Sequence, residues 1–138
     1  DPIQAAILSV KLKYLDNWNA KRSALARIFT VKLAQSNLTL PFVPEWAEPV
    51  WHQYVVQSND RDHFQKKLAE AGIATMVHYP IPPHRQRAYA QLDKGIGSFP
   101  IAERLANEVL SLPVGPHLTT NQQDRVVRET LRLAPALV

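Results

Sequence analysis

Apolar residues in the first quarter of the chain recur at helical intervals. Ile3, Ala6, Ile7, Val10 and Tyr14 form one stripe and Leu8, Leu12 and Leu15 a second, so the pattern predicts a helix with an apolar surface wide enough to pack on more than one side. Asp1 can cap it, Pro2 supplies a first residue with φ already fixed, and Gln4 stands where a capping-box partner would. Asp16, Asn17 and Trp18 predict a bend, after which Trp18, Leu25, Ile28, Phe29 and Leu33 carry the stripe on to about Ala34. The opening is therefore two consecutive helices or one kinked helix. The period then disappears: LPFVPEWAEPV, residues 40–50, has three prolines and reads as an extended connector.

Beyond the connector the pattern alternates between types. WHQYVVQS, residues 51–58, is aromatic and β-branched and predicts a strand. Asn59 or Asp60 can cap the next helix, which turns Phe64 and Leu68 to one face and stops at Gly72. ATMVHY, residues 74–79, predicts a second strand. Ser98 is the expected cap of a helix from Pro100 to about Val109 with Ile101, Leu105 and Val109 aligned, and LSLPV, residues 110–114, is a short extended piece ended by Pro113. Thr119 or Thr120 caps a last helix bearing Val126, Val127, Leu131 and Leu133. The order αα, β, α, β, loop, α, β, α is an α+β arrangement, with long N-terminal helices and further helices laid on a small sheet. At 138 residues and 46% apolar content, residues 1–138 are expected to form a single domain. No internal repeat or low-complexity tract interrupts it.

Composition narrows the chemistry. The absence of cysteine excludes disulfides, thiolate nucleophiles and sulfur-ligated zinc. No apolar run approaches the ~18 residues of a membrane span. The start, DPIQAAILSV, lacks the basic and small-residue features of a signal peptide, so the expected setting is cytoplasmic. It also lacks an initiator methionine, and the chain is expected to be a fragment. Sixteen basic against twelve acidic residues give a formal net charge of +4, which raises the question of an anionic partner. The basic residues, however, recur along helical faces, at Lys11, Lys13, Lys21, Arg22, Arg27 and Lys32 and again at Arg125, Arg128 and Arg132. Such faces are solvated, and no aromatic-interleaved basic strand points to nucleic acid.

The five histidines, His52, His63, His78, His84 and His117, show no i, i+4 pair of the metalloprotease kind, and no metal is expected. No glycine-flanked serine turn marks a hydrolase. The lysines lie on solvated faces or, at Lys94, in a glycine turn, whereas a Schiff-base lysine is normally desolvated. Gly95 and Gly97 are too few to cradle a phosphate alone. What remains is VHYPIPPHRQRAY, residues 77–89. His78, Tyr79, His84, Gln86 and Tyr89 offer neutral donors and acceptors suited to sugar hydroxyls, ketones or phosphate oxygens, on a backbone whose prolines reduce the entropy lost on ordering. From the side chains alone two readings stay open: a binding loop, or a structural proline loop covering the edge of the core.

DPIQAAILSVKLKYLDNWNAKR, AGIATMVHYPIPPHRQRAY and GSFPIAERLANEVLSLPVGPHLT, with the spacing between them, resemble the C-terminal portion of the pyridoxal-phosphate-dependent sugar-nucleotide aminotransferases of the DegT/StrS family. The resemblance covers nearly the whole chain. It implies the small C-terminal domain of a fold type I aminotransferase, with the pyridoxal 5'-phosphate held mainly by an N-terminal domain absent here. It further implies a homodimer that aminates a nucleotide-linked keto sugar with nitrogen from glutamate. The family's Schiff-base lysine lies upstream of the matching segment, so this chain alone is expected to be inactive and to contribute no catalytic or cofactor-binding residue. By position, His78 and Tyr79 match the family's His-Tyr-Pro segment on the sugar-nucleotide side. His84, Gln86 and Tyr89 match its continuation, so all five carry over as substrate-binding candidates. Arg85 replaces the usual leucine and Arg87 adds a second charge, which implies a loop either more exposed or closer to a diphosphate. The HYPIPPH and LSLPVGPH segments resemble members that aminate C3 of a thymidine-diphosphate-linked 6-deoxy sugar. The alternative is a binding or regulatory module that keeps the fold without the chemistry.

Overall fold

The structure, a computed structural model, describes residues 1–135. Helix α1, Pro2–Leu12, starts at Asp1, whose Oδ1 accepts from the amide of Ile3 at 2.8 Å. Helix α2, Leu15–Leu33, follows after a break at Lys13 and Tyr14, upstream of the bend expected at residues 16–18. The amides of Lys13 and Tyr14 bond three residues back, to Val10 and Lys11, which tightens the chain into a 3-10 turn. Asp16 lies instead in the first turn of α2, where the helix dipole favours a carboxylate.

The sheet has two antiparallel strands, β1 (Tyr54–Gln57) and β2 (Val109–Leu112), in the register Tyr54↔Leu112, Val55↔Ser111, Val56↔Leu110 and Gln57↔Val109. Single bridges, Thr39↔Gln57 and Met76↔Ser111, widen it by one residue pair at each edge. The strand expected over residues 74–79 is therefore reduced to Met76. Met76 and Ser111 exchange both backbone hydrogen bonds, so the next such pair toward the chain start would be residue 74 with Pro113. Proline has no N–H to give, and the ladder stops there.

Helix α3, Arg61–Glu70, ends as expected at Gly72, whose φ of +74° is the left-handed value glycine tolerates. No side chain caps its start. Helix α4 spans Pro100–Glu108 and α5 spans Thr120–Leu133. At α5 the expected cap is Thr119, in a reciprocal capping box with Gln122.

The core gathers Leu25, Phe29 and Leu33 of α2, Tyr54 and Val56 of β1, Phe64 and Leu68 of α3, Ile73, Leu110 and Leu112 of β2, and Val126 and Val127 of α5. Phe29 meets Tyr54 edge to face at 5.2 Å, a favoured geometry for aromatic pairs. The Tyr54 hydroxyl is 2.9 Å from Thr30 Oγ1. Burial pushes the Tyr54 phenol above its ordinary pKa, and the Thr30 bond opposes that shift. Two expected core positions lie elsewhere: Leu131 and Ile101 are exposed, while Thr130 and Ala106 take the inward places. The face of α1 differs most from expectation. No α1 residue is buried against the described residues, and Ile3 and Leu12 are 72% and 67% exposed. No helix among the described residues is long and apolar enough to cross a membrane.

Candidate functional site: an aromatic loop beside the sheet edge

His78 follows the Met76 bridge and turns back onto the sheet. Its Nδ1 lies 2.9 Å from Ser111 Oγ, and its ring stands edge-on to Tyr79 at 5.6 Å. The peptide between these two residues is cis. His78 and Ser111 help line a hollow of about 330 Å³ between the sheet edge and His52, Thr75, Met76 and Pro113. Of the five candidates, His78 alone lines it.

From Tyr79 the chain runs out into a loop of two short 3-10 turns, Pro83–Arg85 and Arg87–Leu92. Proline at Pro83 suits the first residue of such a turn, where no N–H is needed. Tyr79 is 73% exposed and Tyr89 45%, and among the described residues neither hydroxyl has a hydrogen-bond partner within the chain. Gln86 spends its amide locally, Nε2 donating to the Ile81 carbonyl at 3.2 Å. Arg85 and Arg87 are both exposed.

His84 points the other way. Its Nε2 is 3.0 Å from Glu103 Oε1, and the ring packs 4.9 Å from Phe99. Glu103 also accepts from the amide of Gly97 at 2.9 Å and from that of Phe99 at 3.4 Å. The Gly97 amide is the main cause that holds the Glu103 carboxyl below the usual glutamate range, with Phe99 and His84 adding to it against partial burial. Ser98, the expected cap, makes no side-chain cap bond because Phe99 occupies the cap position; Glu103 instead ties the helix start back to the turn before it through the Gly97 and Phe99 amides. Sequence reasoning missed Glu103 and Ser111. The signal for Glu103 was its place in the first turn of a proline-started helix, just past a Gly-rich turn.

A larger cleft of about 860 Å³ separates α2 from the connector. One wall carries Asp16, Asn19, Ser23, Arg27 and Thr30, and the other includes Glu48 and Trp51. Those α2 residues recur three or four apart, a polar stripe that was readable in the sequence. Trp51 adopts φ +54°, uncommon for a bulky residue, and its ring lies 5.3 Å from that of Tyr54, tilted by 31°.

Pyridoxal phosphate needs a desolvated lysine amine and a phosphate cradle. Six of the seven lysines are exposed and Lys67 is half-buried; Lys32 pairs with Asp124 at 2.9 Å. The Gly97 amide is already given to Glu103. The residues of this chain do not fit the cofactor by themselves. Among the described residues no cluster of three or more histidine or carboxylate side chains can hold a metal. Part of the basic surface is neutralised locally, Arg128 and Arg132 both pairing with Glu129.

Comparison with known proteins gives this geometry a context. The chain is 48% identical over 128 residues to the erythromycin biosynthesis sensory transduction protein EryC1 of Saccharopolyspora erythraea, covering 92% of this chain and 35% of that protein. It is 44% identical over 128 residues to the dTDP-3-amino-3,4,6-trideoxy-alpha-D-glucose transaminase of Streptomyces venezuelae, covering 92% of this chain and 34% of the relative. The crystal structure of S. venezuelae DesV in complex with a ketimine intermediate superposes with a TM-score of 0.93 at 41% identity, over 98% of this chain and 37% of that one. This chain thus spans about a third of the length of the relatives it matches. With a sequence model of the family aligned from residue 1 to residue 131, the chain belongs to the DegT/DnrJ/EryC1/StrS aminotransferase family.

Proposed function

We propose that this chain is the C-terminal small domain of a pyridoxal-phosphate-dependent aminotransferase acting on a nucleotide-linked keto sugar. The observation that carries the proposal is the superposition of nearly the whole chain on the S. venezuelae DesV structure, which holds a ketimine intermediate. The keto sugar would gain the amino group of glutamate, releasing 2-oxoglutarate. The name of the S. venezuelae transaminase supports C3 of a dTDP-linked 6-deoxyhexose as the position aminated.

In this reading the cofactor and its lysine come from the remaining two-thirds of the protein, consistent with lysines here that are solvated. The chain supplies the substrate side. Tyr79 and Tyr89 present unpaired hydroxyls to sugar or phosphate oxygens. His78, anchored by Ser111, sets where Tyr79 begins, while Gln86 and His84 shape the loop between them. The bare apolar face of α1 supports packing against the rest of the protein and a second subunit of a homodimer. The enzyme would work in the cytoplasm.

A binding or regulatory module is the second reading, favoured by the sensory transduction name of the S. erythraea relative. One assay separates the two. The full-length protein is supplied with pyridoxal phosphate, glutamate and a dTDP-3-keto-6-deoxyhexose, and amino sugar and 2-oxoglutarate are measured. Formation in equal amounts is expected, with none from residues 1–138 alone. Nucleotide-sugar binding without product supports the module, and turnover by the isolated chain overturns the division of labour.

A further inference from the structure

Three donors from the two ends of the aromatic loop converge on one carboxylate. His84 Nε2 approaches Glu103 from the near end of the loop at 3.0 Å, and the amides of Gly97 and Phe99 approach from the far end at 2.9 and 3.4 Å. The His84 and Glu103 side chains are 7% and 19% exposed, so water competes little for these bonds. Among the described residues, His84–Glu103 is the one hydrogen bond joining residues 79–96 to a helix or strand. The loop's remaining hydrogen bonds are internal, as in Gln86 to Ile81, or reach only the adjoining turn, where the Ser98 amide donates to the Gly95 carbonyl.

We infer that Glu103 is a positioning residue for the nucleotide-sugar substrate: acting through His84, it holds the loop so that Tyr79, Gln86 and Tyr89 present one ordered surface. This inference rests on the proposed function for its substrate, but the pairing itself does not. A carboxylate only accepts, so His84 must carry its proton on Nε2, and Glu103 thereby fixes both the tautomer and the ring orientation. A plain helix cap would need the Gly97 and Phe99 bonds alone. The tie to His84, fifteen residues before Phe99 in the chain, is what closes the loop.

The test has two parts. In the 138-residue chain, ¹⁵N chemical shifts of the His84 ring are expected to report the Nε2–H tautomer above neutral pH, whereas Nδ1–H would overturn the pairing. In the full-length protein, E103Q is expected to raise KM for the nucleotide sugar about tenfold, the worth of one charge-assisted hydrogen bond, with kcat within about twofold. E103D keeps the charge and should fall between. In an H84F background, E103Q should have no further effect on KM. An unchanged KM in E103Q, or a full additional rise in H84F, overturns the positioning role. If the unmodified full-length protein makes no amino sugar, the functional reading fails, while the tautomer still decides the pairing.

Discussion

Thr130 is fully buried on α5, and among the described residues its Oγ1 has no hydrogen-bond partner. A buried hydroxyl without a partner forfeits its bonds to water, a cost of about 1–3 kcal/mol, whereas a methyl group of the same shape carries no such cost. Thr130→Val is therefore expected to stabilise the chain by about 1 kcal/mol, read as a higher urea midpoint with an unchanged slope. A loss of stability would mean that the hydroxyl has a partner. The same residue marks a limit of sequence reading at this scale. Helical periodicity placed Leu131 inside, because apolar character was the only guide; the facing elements chose Thr130. By contrast, His78, Tyr79, His84, Gln86 and Tyr89 stood out as a candidate group, since prolines and aromatic donors crowd into thirteen residues. The contacts of His78 and His84 were not legible, because Ser111 and Glu103 come from distant parts of the chain.

Among the elements, those with strong local signals formed where expected: the Asp1 and Thr119 caps, the stop at Gly72, and the strands around Val55 and Ser111. The failures are those that tertiary partners decide. Residues 74–79 have strand composition, yet a strand needs a partner with donors, and Pro113 withholds one. Ser98 has cap chemistry, yet Phe99 takes the cap position and a charged acceptor, Glu103, binds the Gly97 and Phe99 amides instead. That substitution makes the loop sensitive to acid. Because the folded Glu103 is depressed below the usual glutamate range, its contribution is complete above the unfolded value, near pH 4.3, and is lost as pH falls through the folded one. Hydrogen exchange at the Gly97 and Phe99 amides should be steady from neutral pH down to about 4.5, after correction for intrinsic rates, and then lose protection. In E103Q that pH dependence should vanish. Persistence of the step in E103Q would assign it to another carboxylate, with Glu129, also depressed mainly by its bond from Arg132, the first to test.

At the scale of the whole molecule, core and periphery have opposite characters. The sheet, α2, α3 and α5 share one continuous apolar cluster, while α1, Phe42 and Trp46 leave large apolar groups in solvent. Helix α1 is well capped, but among the described residues nothing buries its apolar stripes. A helix with apolar residues on two sides, attached to a finished core, is built to be covered from outside. In the proposed enzyme the rest of the protein and a second subunit would cover it; alone, the chain has only copies of itself. Residues 1–138 are thus expected to self-associate at micromolar concentrations, and sedimentation velocity should show a weight-average mass rising with concentration. Ile7→Lys with Leu12→Lys should return the chain to monomer while changing core stability by no more than about 0.5 kcal/mol, since both side chains are exposed. A concentration-independent monomer in the unmodified chain would mean that α1 folds back onto the described core in solution. The double lysine variant would then destabilise the core, which the same urea titration reads.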